Sequence, residues 1–162
     1  MEDVYMSLIY GKAQSGDFDR LNELFIEMLR TIYNTEQVDG YAKGDMDRFF
    51  DGRDEWVCVA IDNDNIIAFL SIEVHHEEEE YIYLDDLSVT SSYRNNGIGT
   101  SLIKRAEEYA EKIRVSKIYF HVEKTNASAF RLYQRLGYSI KEEQGTRYLM
   151  SKEDIEKEKN CL

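Results

Sequence analysis

The chain has 162 residues, 43% hydrophobic and 12% aromatic, which suits one domain able to close one substantial core. A formal net charge of −12 and a pI near 4.7 oppose polyphosphates, so neither nucleic acid nor an anionic membrane face is an expected partner, and a cationic substrate is favoured. Any anion site must therefore rest on local geometry.

The opening residues Met1-Glu2-Asp3-Val4-Tyr5 carry no basic, apolar leader pattern, and no run of about 18 apolar residues occurs, so a soluble protein is expected. Cys58 and Cys161 have neither metal spacing nor a disulfide framework, which fits a reducing cytoplasm. With no proline, repeat or linker, a single domain is expected over 1–152, followed by a charged tail over 153–162. In chain order, a strand is predicted over Tyr5 to Ala13. A helix capped by Asp17 follows to Tyr33, carried by Phe18, Leu21, Leu24, Phe25, Met28, Leu29 and Ile32 at helical spacing. Asn34 to Phe50 reads as a loop with a short second helix. Glu55–Ile61 and Ile66–Val74 read as a hairpin around Asp62-Asn63-Asp64-Asn65, and Tyr81–Val89 as a further strand.

Beyond Val89 the period changes. Ile98, Leu102, Ala106, Tyr109, Ala110 and Ile113 form one face of a helix, Val115–Glu123 reads as a strand, and Asn126–Leu136 as a helix stopped by Gly137. Strand, helix, strand over Tyr81–Val122 predicts two parallel strands joined by a right-handed crossover. Tyr138–Glu142 and Thr146–Met150 close the chain as a hairpin around Gln144-Gly145. The expected fold class is α/β, a mixed sheet with helices on both faces.

Between Val89 and the helix lies Arg94-Asn95-Asn96-Gly97-Ile98-Gly99-Thr100. A helix start exposes unpaired N–H groups and a partial positive charge, and glycines let an anion approach them; a plain turn into a helix would look the same in isolation. No Lys-Ser or Lys-Thr follows as in a P-loop, and no third glycine as in a dinucleotide fingerprint. Arg-x-x-Gly-x-Gly after Leu87-Ser88-Val89, together with Asn126-Ala127-Ser128-Ala129-Phe130-Arg131-Leu132-Tyr133-Gln134-Arg135-Leu136-Gly137-Tyr138, resembles the two signatures of the GNAT acetyltransferase superfamily. One departure is Ser91, where that family often carries proline.

The resemblance implies a six- to seven-stranded, mostly antiparallel sheet whose central parallel pair splays apart. It implies acetyl-coenzyme A as cofactor, bound by Leu87, Ser88, Val89, Arg94, Asn95, Asn96, Gly97, Ile98, Gly99, Thr100, Asn126 and Tyr133. Tyr133 becomes the candidate general acid, with packing in the core as its alternative, since a phenol of pKa near 10 is protonated at neutral pH. The segment Leu84-Asp85-Asp86-Leu87 resembles that of diamine acetyltransferases, which makes Asp85 the candidate base, acting through water, or else only an attractor of the cation. Asp86 is then a substrate-binding or structural acceptor; adjacent strand residues face opposite ways, so only one of the two looks straight into the cleft. Asn126 serves as helix cap, coenzyme contact or both, and Arg94 pairs with phosphate or a surface carboxylate.

His75 and His76 precede Glu77–Glu80, but they point to opposite faces of a strand, so no metal is expected. Tyr33, Glu36, Asp39 and Tyr41 are candidates for the acceptor wall or plain surface. The expected activity is acetyl transfer to a small cationic amine, a polyamine or aminoglycoside-like molecule. A protein or peptide N-acetyltransferase and a non-catalytic coenzyme A-binding domain are the rivals, and a homodimer is left open as the assembly.

Overall fold

The computed structural model describes residues 7–52 and 54–155. In chain order its elements are β1 (Ile9–Lys12), α1 (Phe18–Tyr33), α2 (Asp47–Asp51), β2 (Trp56–Asp62), β3 (Asn65–His75), β4 (Tyr81–Val89), α3 (Ile98–Ile113), β5 (Ile118–Glu123), α4 (Ala127–Arg135), β6 (Ser139–Gln144) and β7 (Arg147–Lys152). The strands form a seven-stranded sheet in the order β1-β2-β3-β4-β5-β7-β6. β1/β2, β5/β7 and β6/β7 pair antiparallel, whereas β4 and β5 run parallel with Ile82 opposite Ile118 and Tyr83 opposite Tyr119. A parallel neighbour cannot be reached by a tight turn, and α3 supplies the crossover.

Local chemistry accounts for the turns. Asn63 and Asp64 both take left-handed backbone angles (φ 48° and 65°), the pattern of a two-residue hairpin turn whose twist matches its strands. α4 begins with Asn126, whose side chain accepts from Ala129 N at 3.3 Å, and ends with Gly137 at φ 96°, where Tyr138 N bonds Tyr133 O and Gly137 N bonds Gln134 O, both at 3.0 Å.

Two expectations are corrected. Asp17 makes no side-chain bond into α1; its Oδ2 instead accepts from Gln14 N at 2.8 Å across a 3-10 turn, Ser15–Asp17. The strand expected from Val115 starts only at Ile118, because α3 closes with Arg114 left-handed (φ 61°), Val115 N on Ala110 O at 2.9 Å and Arg114 N on Glu111 O at 3.1 Å. That is a helix-closing motif normally signalled by glycine. Past β7, Ile155 is buried and its N–H donates to Ser116 O at 3.0 Å. Within the expected first strand, Tyr5 lies outside the described residues, as does Cys161, and the described strand covers Ile9–Lys12.

The chain divides into two compact units, Met1–Ser71 with Asp86–Ile103 and Ile72–Asp85 with Lys104–Leu162. In the first, Leu21 and Leu24 of α1 are fully buried in a cluster with Phe49, Val57, Val59 and Phe69, each leucine contributing roughly 1.5–3 kcal/mol. In the second, Ile82, Ala106, Ile118 and Met150 are fully buried.

Lys152 fastens this second unit. Its buried ammonium donates to Leu136 O at 3.1 Å and lies 3.4 Å from Glu107 Oε1, which also accepts from Tyr138 Oη at 3.1 Å. Lys152→Met would keep the stem but leave Glu107 and the end of α4 without their cation. We expect a loss of about 2 kcal/mol in urea unfolding; an unchanged midpoint would assign Lys152 no structural weight.

Candidate functional site

The first unit carries the glycine loop. After β4, Thr90 is extended (φ −61°, ψ 148°), Ser91–Tyr93 make one 3-10 turn, and Arg94 is extended again. Asn95 (φ 65°) and Gly97 (φ 75°) are left-handed and swing the chain into α3. The first helical bond is Ser101 N to Gly97 O at 3.0 Å, so the amides of Gly97 to Thr100 belong to the set a helix start leaves without intrahelical partners. A Cβ on Gly97 would meet nothing within 4 Å, whereas one on Gly99 would touch Leu87 Cδ2 at 3.8 Å. Gly97 thus opens onto free space, and Gly99 lies against the end of β4.

Side chains hold this loop. Asn96 Nδ2 donates to Tyr93 O and Arg94 O at 3.1 and 3.0 Å, while Tyr93 Oη donates to Asp62 Oδ2 at 2.5 Å, a bond that raises the phenol above its ordinary pKa. Arg94 Nε donates to Val89 O at 3.0 Å, and Nη2 lies 3.5 Å from Glu27 Oε1 of α1. Ser88 is buried and donates its hydroxyl to Leu24 O at 3.0 Å.

The two aspartates of β4 part as strand alternation requires: Asp85 is exposed, and Asp86 is half-buried. Asp86 Oδ2 accepts from Tyr41 Oη at 2.7 Å, and the Tyr41 ring stacks on Phe25 at 3.9 Å. Tyr41 is therefore the wall candidate that reaches β4. Tyr33 is 63% exposed, and Glu36 is a surface carboxylate 3.4 Å from Arg30.

The second unit holds Asp85, Asn126 and Tyr133. The Tyr133 ring meets Phe120 of β5 edge-on, with centroids 4.6 Å apart, and burial pushes its phenol above the ordinary value. Among the described residues no hydrogen bond engages its hydroxyl. Beside Asp85, one strand position pair back, the structure adds a network that the sequence reading missed. Tyr83 Oη lies 2.6 Å from His121 Nδ1, and His121 Nε2 lies 2.7 Å from Gln144 Oε1. Such a chain can pass a proton between phenol and imidazole. The available signal was His121 itself, a titratable residue inside the apolar run Ile118–Val122.

The acidic turn is partly tied down. Glu79 Oε1 accepts from Lys117 Nζ at 2.7 Å and from Tyr119 Oη at 2.5 Å; the lysine chiefly lowers the Glu79 carboxyl, while desolvation and Glu79 push the Tyr119 phenol up. His75 stacks on Tyr81 at 4.6 Å and lies 3.2 Å from Glu73, whereas His76 faces Glu80 at 3.7 Å. No group of three or more His, Cys, Asp or Glu that could hold a metal occurs among the described residues.

A protein-family model described as Acetyltransferase (GNAT) family matches residues 26–138. Histone acetyltransferase MCC1 of Arabidopsis thaliana is 30% identical over 156 residues, covering 84% of this chain and 63% of that protein. N-alpha-acetyltransferase 30 of Homo sapiens is 32% identical over 80 residues, covering 49% of this chain and 22% of that protein. The chain thus spans less than two thirds of these relatives. Among solved structures, the PaiA N-acetyltransferase of Thermoplasma acidophilum in complex with coenzyme A superposes with a TM-score of 0.76 at 19% identity, covering 91% of this chain and 99% of that one. Arabidopsis thaliana NAA60 in complex with a bisubstrate analogue gives 0.72 at 21%, covering 91% and 98%. At such identities these two structures establish likeness of fold.

Proposed function

Because the chain belongs to the GNAT family of acetyltransferases, we propose that it transfers the acetyl group of acetyl-coenzyme A to a primary amine by direct transfer in a ternary complex. The observation that carries this is the loop Arg94–Thr100, exposed over Arg94–Gly97, where Asn95 and Gly97 are left-handed, a Cβ on Gly97 would meet nothing within 4 Å, and the helix's first bond is Ser101 N to Gly97 O. Such a cradle fits a diphosphate by geometry and partial charge, despite the acidic chain. Bound there, the coenzyme supplies the activated thioester. Asn126 contributes its side chain from the start of α4, and main-chain groups of Leu87, Ser88 and Val89 orient the acyl arm and polarise its carbonyl. Tyr133 holds the proton that the departing thiolate takes up. Asp85 draws the ammonium in and receives its proton through water, with Tyr83 and His121 as the next carriers on that face.

The acceptor we propose is a small cationic amine. Its support is the net charge of −12, the Asp85–Asp86 pair and the likeness of that segment to diamine acetyltransferases. A peptide or protein amine is the second reading, favoured by relatives named as histone and N-alpha acetyltransferases. A cytoplasmic setting belongs to the same proposal, and so does a homodimer, which sedimentation would measure. Thiol release assayed against polyamines, aminoglycosides and peptides tests the choice: turnover confined to peptides would overturn the small-amine reading, and release with no acceptor tried would count against both.

Asp85→Asn should cost most below the acceptor's pKa, where the amine arrives charged and must shed a proton, and least above it. A pH profile of kcat/KM parallel to wild type would remove Asp85 from the proton path.

A further inference from the structure

In the turn between β4 and α3 the chain has no proline, and Ser91 offers a backbone N–H. That N–H donates to Glu27 Oε1 at 2.8 Å, and Thr90 Oγ1 donates to Glu27 Oε2 at 2.9 Å. The same carboxylate lies 3.5 Å from Arg94 Nη2, while Arg94 Nε holds Val89 O. One turn earlier on α1, Leu24 O accepts from Ser88 Oγ. α1 therefore holds the start of the turn: the half-buried Glu27 carboxylate accepts one hydrogen bond each from Thr90 and Ser91 and pairs with the Arg94 guanidinium at 3.5 Å.

We infer that Glu27 is a positioning residue for the phosphate loop, fixing by hydrogen bonds the turn that a proline would fix by its ring. This rests on the coenzyme reading above only for its functional consequence. Backbone geometry makes the exchange testable. Thr90, at φ −61° and ψ 148°, already has the extended conformation required before proline, and Ser91 opens a 3-10 turn, where proline is tolerated. Ser91→Pro would thus remove one thing, the N–H that Glu27 accepts, and add rigidity.

The experiment titrates coenzyme A calorimetrically into wild type, Glu27→Ala, Ser91→Pro and the double variant, with kcat and KM for acetyl-coenzyme A on the same samples. Glu27→Ala is expected to weaken binding about tenfold, as loss of charge-assisted bonds would, with kcat at saturation changed less than about twofold. Ser91→Pro should restore several-fold of that affinity in the Glu27→Ala background and bring no gain in wild type. Equal affinity of Glu27→Ala and wild type, or the same Ser91→Pro effect in both backgrounds, would overturn the inference. Should Glu27→Ala not fold, Glu27→Gln, which keeps one acceptor for Ser91 N, carries the comparison with an expected loss of about threefold. Amide exchange at Tyr93 and Arg94 separates the two proposals. Faster exchange in Glu27→Ala, slowed again by Ser91→Pro, is expected whether or not the coenzyme binds, so a wild type that ignores coenzyme A sinks the acetyltransferase reading alone, and unchanged exchange sinks the Glu27 inference.

Discussion

Tyr133→Phe is expected to lower kcat about 100- to 1000-fold, the usual contribution of a positioned acid, while changing affinity for coenzyme A less than about twofold. The ring is held by its edge-on contact with Phe120, and phenylalanine keeps that contact, so the fold should survive. What disappears is a hydroxyl with no bonding partner among the described residues. Burial raises its pKa, so the phenol keeps its proton well into the alkaline range. Wild-type turnover should accordingly show no loss of the acid below pH of about 10, the ordinary phenol value. A Tyr133→Phe enzyme with wild-type kcat would make the side chain a packing residue.

Gly97→Val is expected to weaken coenzyme A about 100-fold, or ~2.7 kcal/mol, with a smaller effect on kcat once the site is saturated. Gly97 sits at φ 75°, which a β-branched residue adopts only under strain of about 1–3 kcal/mol. The protein offers no steric objection, since a Cβ there meets nothing within 4 Å. The added methyls would instead fill the space through which an anion approaches the amides, so the remainder of the loss falls on the ligand. Asparagine tolerates this backbone region, as neighbouring Asn95 does at φ 65°, so Gly97→Asn should lose about tenfold less than valine. Equal losses for both would point to bulk rather than backbone strain.

Much of the fold was legible because its punctuation is local. β4 and α3 fall on the predicted residues, and Asn126 with Gly137 brackets α4 as a cap and a left-handed stop should. Arg114 shows the limit: it performs a glycine's task at the end of α3, so the sequence extended the next strand backwards by three residues. The candidate site was legible where a motif is contiguous, as in Arg94–Thr100. It was not where tertiary pairing makes the partners. Glu27 and Ser91 stand 64 positions apart, and Tyr83 meets His121 only because β4 and β5 pair in one particular parallel register. Tyr41 was one of four candidates after α1, and its bond to Asp86 singles it out by a contact no local pattern encodes.

In the proposed acetyltransferase, main-chain amides at the start of α3 hold the diphosphate of coenzyme A. Amide shifts of isotopically labelled protein, followed while coenzyme A and then pantetheine, which lacks the diphosphate, are titrated in, test it directly. Gly97, Ile98, Gly99 and Thr100 should move strongly with coenzyme A and hardly at all with pantetheine. Large shifts elsewhere with these four amides unmoved, or equal shifts with both ligands, would contradict it.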